Sequence, residues 1–336
     1  MSQPTVQLDH GSGGRATHEL VQEVFAGAFR NEFLLEMNDS ALVDLDNGQV
    51  ALTTDSYVVD PIIFPGGNIG SLAVHGTVND LSMRGAKPLY LTAGFILEEG
   101  LALDILHLIV SSMAEAAREA GVLIVAGDTK VVEKGKADKI FINTAGVGVV
   151  PPGVNVAGQN ARPGDVVLIN GTIGDHGLAI LCKREGLAFE NEILSDSASL
   201  NGMVEKMLEV CPDIHVLRDP TRGGVATTLN EIAQQARVGI RLVEESLPVR
   251  KDVAGACEIL GLDPLYVANE GKVLACVPHR KAEDVLQAMR SHPLGRRACR
   301  IGDVVADEVG CVFMATRIGG HRLVDMLRGE QLPRIC

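Results

Sequence analysis

The sequence predicts an α/β protein of two domains, and three observations carry that prediction. At 336 residues the chain exceeds the size at which single hydrophobic cores stop growing. Short apolar runs alternate with amphipathic stretches along its length, the rhythm of strands and helices packed in layers. The stretch "PPGVNVAGQNARPGD", rich in proline and glycine, interrupts that rhythm and puts a boundary near residue 155. The expected organisation is a domain over 1–155, a second over 156–329, and a short tail over 330–336.

In the first half, "QVALTTDSYVV" reads as a strand that breaks near Asp55. "GGNIGSLAVHGTVNDLSMRGA" predicts a helix from about Ile69 to Arg84, stopped by Gly85, the residue type favoured just past a helix end. "PLYLTAGFIL" is strand-like. Leu103, Leu106, Val110, Met113 and Ala117 then recur at steps of three and four, which predicts a helix with one buried stripe ending at Gly121. The strand "VLIVAG" runs into Asp128, and "KIFINTAGVGVV" closes this half.

In the second half, "DVVLING" is a strand and "GDHGLAILCKREG" starts a helix. "SASLNGMVEKMLEV" is a helix with Leu200, Met203, Val204 and Met207 inward. "RDPTRGGVATTLNEIAQQARVG" is a loop feeding a helix whose stripe is Val225, Leu229, Ile232, Ala233 and Ala236. "GIRLVEE", "KVLACVP" and "CVFMATRIGG" are strands, "KAEDVLQAMRS" is a helix, and "HRLVDMLRG" predicts one last short helix. Nothing compact is expected after Gly329. The seven residues beyond it reach roughly 23–25 Å at about 3.3–3.6 Å per residue, enough to carry Cys336 away from the domain that holds it.

Composition narrows the function. Residues are 46% hydrophobic and 22% charged, which excludes a disordered chain. The net charge of -13 repels a phosphate backbone over most of the surface, so nucleic acid is not expected as a partner. "MSQPTVQLDHGSGG" has no basic n-region or apolar h-region, and no run reaches about 18 apolar residues, so the reading is cytoplasmic with no membrane. Seven cysteines, an odd count without a Cys-x-x-Cys pair, read as reduced thiols. The final Cys336 is not a prenylation signal, which places its cysteine four residues from the end.

Three acidic residues stand at breaks between elements: Asp55 in "LTTDSYVV", Asp80 in "TVNDLSMRGA" and Asp128 in "VAGDTKVV". With Asn79 and Thr129 beside them they suit a hard cation such as Mg2+, which takes oxygen ligands and bridges to phosphates. Any one of them also suits a turn or a cap. Two glycine-rich loops suit an anion: "HGSGGRATHEL", with Gly13 and Gly14, and "RDPTRGG", where Arg218 and Arg222 precede a helix N-terminus. Neither is a Walker A loop or a dinucleotide fingerprint. Lys130 and Glu270 are candidates for charge neutralisation or proton transfer.

Taken together, "TTDSYVVDPIIFPGGNIGSLAVHGTVNDLSMRGAKP", "GDTKVV", "RDPTRGG" and the closing "PRIC" resemble the HypE family of hydrogenase maturation factors across essentially the whole chain. More widely they resemble the aminoimidazole ribonucleotide synthetase and selenophosphate synthetase superfamily. The resemblance implies an α/β fold of the α+β type, PurM-like, whose N-terminal domain forms a barrel across a homodimer beside a C-terminal α/β domain. It implies ATP between the domains, Mg2+ on Asp55, Asp80 and Asp128, the "HGSGGR" loop as a nucleotide lid, and Cys336 as a carrier thiol on a mobile tail.

The implied reaction is ATP-dependent dehydration of an S-carbamoyl group on Cys336 to a thiocyanate. The carbamoyl group would come from the carbamoyltransferase HypF, and the cyanide would pass to iron on a HypC–HypD scaffold, as a ligand for [NiFe]-hydrogenase. Two rival readings are a selenophosphate synthetase or small-molecule kinase of the same superfamily, and a non-catalytic adaptor whose tail docks on a partner. The first lacks the N-terminal nucleophile usual in selenophosphate synthetases, since the first cysteine here is Cys182.

Overall fold

The computed structural model describes residues 10, 12–26, 36–45, 48–187, 189, 192–329 and 332–336. After a short helix α1 (Arg15–Leu20), two sheets organise the chain. The first contains β1 (Ala41–Leu45), β2 (Gly48–Tyr57), β5 (Lys87–Glu98), β6 (Leu123–Val132) and β7 (Ile140–Val150), in the order β1-β2-β7-β5-β6. A two-stranded ribbon, β3 (Ile63–Phe64) with β4 (Gly67–Asn68), leads into helix α2 (Ile69–Met83), and α3 (Leu103–Ala120) makes the crossover between the parallel strands β5 and β6.

Helix α2 starts where the sequence allows. The Asn68 side chain accepts hydrogen bonds from the backbone N–H groups of Gly70 and Ser71, and the Ser71 hydroxyl accepts one from the Asn68 N–H, forming a capping box. It stops at Arg84 and Gly85, where φ is +68°. It is buried almost all round because its glycines let it approach its neighbours: a Cβ on Gly76 would lie 2.2 Å from the Tyr57 hydroxyl. Its position between the first sheet and the second half of the chain places Asp80 on one side and Asn79 on the other.

The second sheet comprises β8 (Asp165–Ile169), β9 (Val216–Arg218), β10 (Gly239–Val243), β11 (Leu274–Pro278), β12 (Cys299–Val305), β13 (Val312–Ala315) and β14 (His321–Val324). Their order is β14-β13-β10-β12-β8-β11-β9, antiparallel except for β10 with β13. Helices α4 (Asp175–Glu185), α5 (Asn201–Val210), α6 (Gly224–Ala236), α7 (Lys251–Leu260) and α8 (Ala282–Arg290) cover it. Apolar side chains from the first sheet, α5 and the second sheet share one buried cluster, including Ala51, Leu81, Met203, Leu217 and Val273.

Three sequence expectations are corrected. The strand does not break at Asp55: β2 continues to Tyr57, with Asp55 paired to Thr144 on β7. In α3 the buried face is Ile109, Met113, Ala116, Ala117 and Ala120, whereas Leu103 is 69% and Val110 44% exposed. "HRLVDMLRG" is no helix, since His321–Val324 pairs as β14 with β13. Residues 332–336 lie against the body of the protein, the inserted one of the two forms expected of a mobile tail, with Ile335 only 3% exposed in the core cluster of α2 and α3.

Candidate active site

The site forms where β2, α2 and the loop after β9 meet. Thr53 on β2 donates to the Asp80 carboxylate at 2.8 Å, and Asp55 accepts from its neighbouring Ser56 N–H at 2.8 Å. The end of β9 brings Arg218 and the loop after it Asp219, both buried, and then Arg222. Arg218 pairs with Asp39 at 2.8 Å and with Glu231 of α6 at 2.5 Å. Burial works to lower the Arg218 pKa, but these acids, with Asp219 and Asp80, hold it above its ordinary value.

Glu270, in the loop before β11, is 3% exposed, and its Oε1 has no hydrogen-bond partner. Its backbone N–H donates to Asp196 at 3.0 Å. Burial, followed by the charges of Asp219 and Asp55, raises its carboxyl well above the usual range, and Arg222 opposes that shift. The same physics raises Asp80, through burial and then Asp219, and takes Asp219 to about 8, through burial and then Asp39. Asp55 is raised by burial against the pull of Arg222. These carboxylates repel one another in a low-dielectric seam.

That arrangement fits a hard divalent cation by donor type and by charge. No three of the described His, Cys, Asp or Glu side chains converge as a ready ligand set. Mg2+ does not need one, because it is ordinarily held by one or two carboxylates with water and substrate phosphates. Beside the cluster a cavity of about 750 Å³, lined by Asp39, Ser40, Thr53, Tyr90, Arg218 and Gln235 among others, is large enough for a nucleotide.

The glycine loop closes over this corner. Gly13 has φ +75°, and a Cβ there would lie 2.5 Å from the Arg222 Cβ. Gly14 packs on Leu327, whose carbonyl accepts from Arg15 N–H at 3.0 Å. Only glycine at both positions allows the "GSGGR" backbone to lie on "RDPTRGG".

The tail ends at the same place. The Val58 and Asp60 N–H groups donate to Cys336 and Arg334 backbone oxygens at 3.0 and 3.2 Å. Arg334 pairs with Asp138 and donates to Val58 O. Burial pushes the Cys336 thiol up to about 12, with Glu270 and Asp55 adding to the shift and Arg222 opposing it. Cys336 is in turn the largest cause of the raised Arg222 pKa. The cation near the sulfur is Arg222 rather than Arg334, two residues away in the chain, which is turned to Asp138.

Of the expected site residues, the structure gathers Asp55, Asp80, Arg218, Arg222, Glu270, Gly13, Gly14 and Cys336. Asn79 lies in the seam, but its amide donates to Ala198 O and Glu270 O and accepts from Leu200 N–H, so it braces the two halves. Asp128, Thr129 and Lys130 are not gathered. They lie on the exposed strand β6, three strands from β2 and therefore roughly 14 Å away at about 4.8 Å per strand, and Lys130 pairs with Asp128 at 2.6 Å. The expected cluster Asp55, Asp80 and Asp128 does not form within one chain. Asp39 and Asp219 are the acids that sequence reasoning misses, although Asp219 stands between the two arginines that mark the "RDPTRGG" loop.

The fold and this corner define a two-domain protein of the AIR synthase class: the model of "AIR synthase related protein, N-terminal domain" matches residues 37–150, and that of its C-terminal domain matches 162–314. Carbamoyl dehydratase HypE of Azotobacter vinelandii is 60% identical over 332 residues, covering 99% of this chain and 97% of that protein. A crystal structure of a HypE–HypF complex superposes with a TM-score of 0.88 at 56% identity, over 92% of this chain and 99% of the other. A crystal structure of HypE in complex with ATP gives 0.83 at 57%, over 99% and 100%. The chain belongs to the HypE family of hydrogenase maturation proteins, whose curated members are named as carbamoyl dehydratases.

Proposed function

We propose that the protein is an ATP-dependent carbamoyl dehydratase acting on its own last residue, converting S-carbamoyl Cys336 to S-cyano Cys336. The observation that carries the reading is the docking of Cys336 beside Arg222, Glu270 and Asp55, with Thr53, the donor to Asp80, lining a nucleotide-sized cavity. An amide oxygen is a poor leaving group. Transfer of the γ-phosphoryl group to it makes one, and departure of phosphate with loss of both N–H protons leaves the nitrile, so that Cys–S–C(O)NH2 and ATP give Cys–S–CN, ADP, hydrogen phosphate and one proton.

Each residue has a part that its surroundings suit. Arg222, the cation nearest the sulfur, orients the carbamoyl oxygen and offsets charge as that oxygen is phosphorylated. Glu270, with its unpartnered Oε1, takes one N–H proton from the amide nitrogen when it is ionised, and the departing phosphate carries the other. Asp55 and Asp80, with Asp219, would hold Mg2+, which supplies charge neutralisation to the phosphates when bound. Gly13 and Gly14 form the lid. Covalent tethering replaces a bimolecular encounter with an intramolecular one.

Asp128, Thr129 and Lys130 join such a site only from a second copy. Strand β6 is exposed along the sheet edge, with Leu123 65%, Val125 58% and Val131 67% exposed, the form of an edge that another strand completes. A homodimer with a barrel shared between the N-terminal domains would cover it and bring Lys130 to the partner's phosphates. HypF supplies the carbamoyl group and a HypC–HypD iron scaffold receives the cyanide in this reading. It also places the protein in the cytoplasm; among the described residues no helix is long and apolar enough to cross a membrane.

The test is intact-protein mass spectrometry after incubation with HypF, carbamoyl phosphate and ATP, comparing wild type with Cys336→Ala. A carbamoyl adduct on the C-terminal peptide that then loses one water, absent from the variant, is the expected result. No adduct with an active HypF would overturn the reading and favour phosphoryl transfer to a small molecule. An adduct that never dehydrates would favour an adaptor.

A further inference from the structure

The tail is held by its main chain. Residues 334 and 336 lie antiparallel to 58 and 60, taking hydrogen bonds from the Val58 and Asp60 N–H groups as an added strand would. The outward carbonyls of this pairing converge on α4. Arg184 Nη1 donates to Pro333 O at 2.6 Å, and Nη2 donates to Arg334 O at 2.8 Å. Its Nε donates to Asp60 O at 2.8 Å, so one guanidinium spans both sides of the pairing. At the other end of α4, the fully buried His176 meets Ile335 O through Nε2 at 2.8 Å and Ser195 Oγ through Nδ1 at 2.8 Å. Ser195 is itself fixed, its N–H donating to Pro65 O at 2.8 Å.

We infer that Arg184 and His176 are positioning residues that clamp the tail by its carbonyl oxygens, setting where the Cys336 side chain lies without touching it. The inference rests on the dehydratase reading for its purpose but not for its geometry. His176 acts as the neutral tautomer with its proton on Nε2, donating to Ile335 O while Nδ1 accepts from the Ser195 hydroxyl. Arg184 is chosen over lysine by shape, because a planar fork serves three oxygens in fixed directions and a single ammonium does not. Because these hydrogen bonds reach the tail at backbone oxygens, the clamp holds the thiol, the S-carbamoyl and the S-cyano forms alike. The cargo is then sensed by Arg222 and Glu270, and α4 senses only that a tail is present.

The experiment measures alkylation of the full-length protein by iodoacetamide, with each cysteine followed by peptide mass spectrometry, in wild type, Arg184→Gln, Arg184→Lys and His176→Gln. Cys276, 1% exposed, reports on global unfolding in the same spectra. Both Arg184 variants should raise the labelling rate at Cys336 about 10- to 100-fold while Cys276 stays unlabelled, the change expected when hydrogen bonds to a charged group are lost. His176→Gln, which retains a donor for Ile335 O, should raise it less. If Arg184→Gln labels Cys276 because the fold is lost, Arg184→Lys decides. Labelling of Cys336 within about twofold of wild type in a folded Arg184 variant overturns the clamp. Labelling needs neither ATP nor HypF, so a clamp that responds as expected in a protein that never forms S-cyano cysteine would leave this inference standing and remove the dehydratase reading.

Discussion

Replacing Asp219 with asparagine should stabilise the cation-free protein and at the same time weaken its response to Mg2+ and ATP. The carboxyl is raised from an ordinary 3.8 to about 8, first by burial and then by Asp39. Between those values the folded state keeps a proton that the unfolded state releases. Stability that is fully present below about pH 4 is therefore lost as pH rises through 8, at up to about 1.4 kcal/mol per pH unit for one proton. Asp80 and Glu270 are also raised, and Asp219 is the largest charge acting on each, so the three titrate as a set. The Asp219→Asn substitution removes one proton from that set and relieves the other two. The gain at pH 8 should be roughly 1–4 kcal/mol, the range seen when buried charge is replaced by a neutral group of similar shape. Urea unfolding at pH 4, 6 and 8 without divalent cation should show the variant converging on wild type at pH 4 and exceeding it at pH 8. Thermal melts with MgCl2 and ATP should show wild type gaining stability and Asp219→Asn gaining much less. A variant less stable than wild type at pH 8 without cation, or one whose gain with Mg2+ and ATP equals wild type's, would refute the account of the cluster as a cation seat.

Arg222→Met should slow conversion of S-carbamoyl to S-cyano Cys336 by about 100-fold or more, the cost of losing one preorganised charge at a reacting oxygen, read from the mass of the C-terminal peptide over time. Gly13→Ala forces a side chain into φ +75° and against the Arg222 backbone at 2.9 Å, and should raise the ATP concentration needed for half-maximal thermal protection about tenfold. Val131→Glu, on the exposed edge strand, should halve the mass measured by light scattering while changing the protomer's own stability by less than about 0.5 kcal/mol. An unchanged mass would remove the shared barrel.

Elements whose signal is local could be read directly. Helix α2 carries its own start in Asn68 and Ser71 and its own stop in Gly85, and α5 and α6 bury the stripes their spacing predicts, except that Ala236 at the end of α6 is only half-buried. What failed depended on distant partners. The 321–324 segment has helical spacing, but β13 offers its edge to it, and the pairing prevails over local pattern. Asp55 looks like a break because aspartate is rare within strands, yet β7 pairs through it and its carboxyl faces the site. For Asp128 the motif is clear in the sequence, but its place on the outer strand of the sheet is set by topology. Arg184 and His176 were invisible for a simpler reason: their partners are backbone oxygens about 150 residues away in the chain, and a carbonyl has no residue type to recognise.

On the dehydratase reading proposed above, the state of the docked thiol divides the cycle in space. A sulfur pushed to about 12 is protonated at any physiological pH, and a thiol is a far poorer nucleophile than its thiolate, so the docked position is unsuited to acquiring a carbamoyl group. Once the sulfur is acylated its acidity no longer matters. What then counts is a water-poor pocket with Arg222 facing the amide and Glu270 beside it, and burial supplies both. The burial that silences Cys336 as a nucleophile is thus the condition that favours its dehydration. On the proposed reading, carbamoyl transfer would belong to a tail that has left the groove between Val58 and Arg184, and nitrile formation to one that has returned.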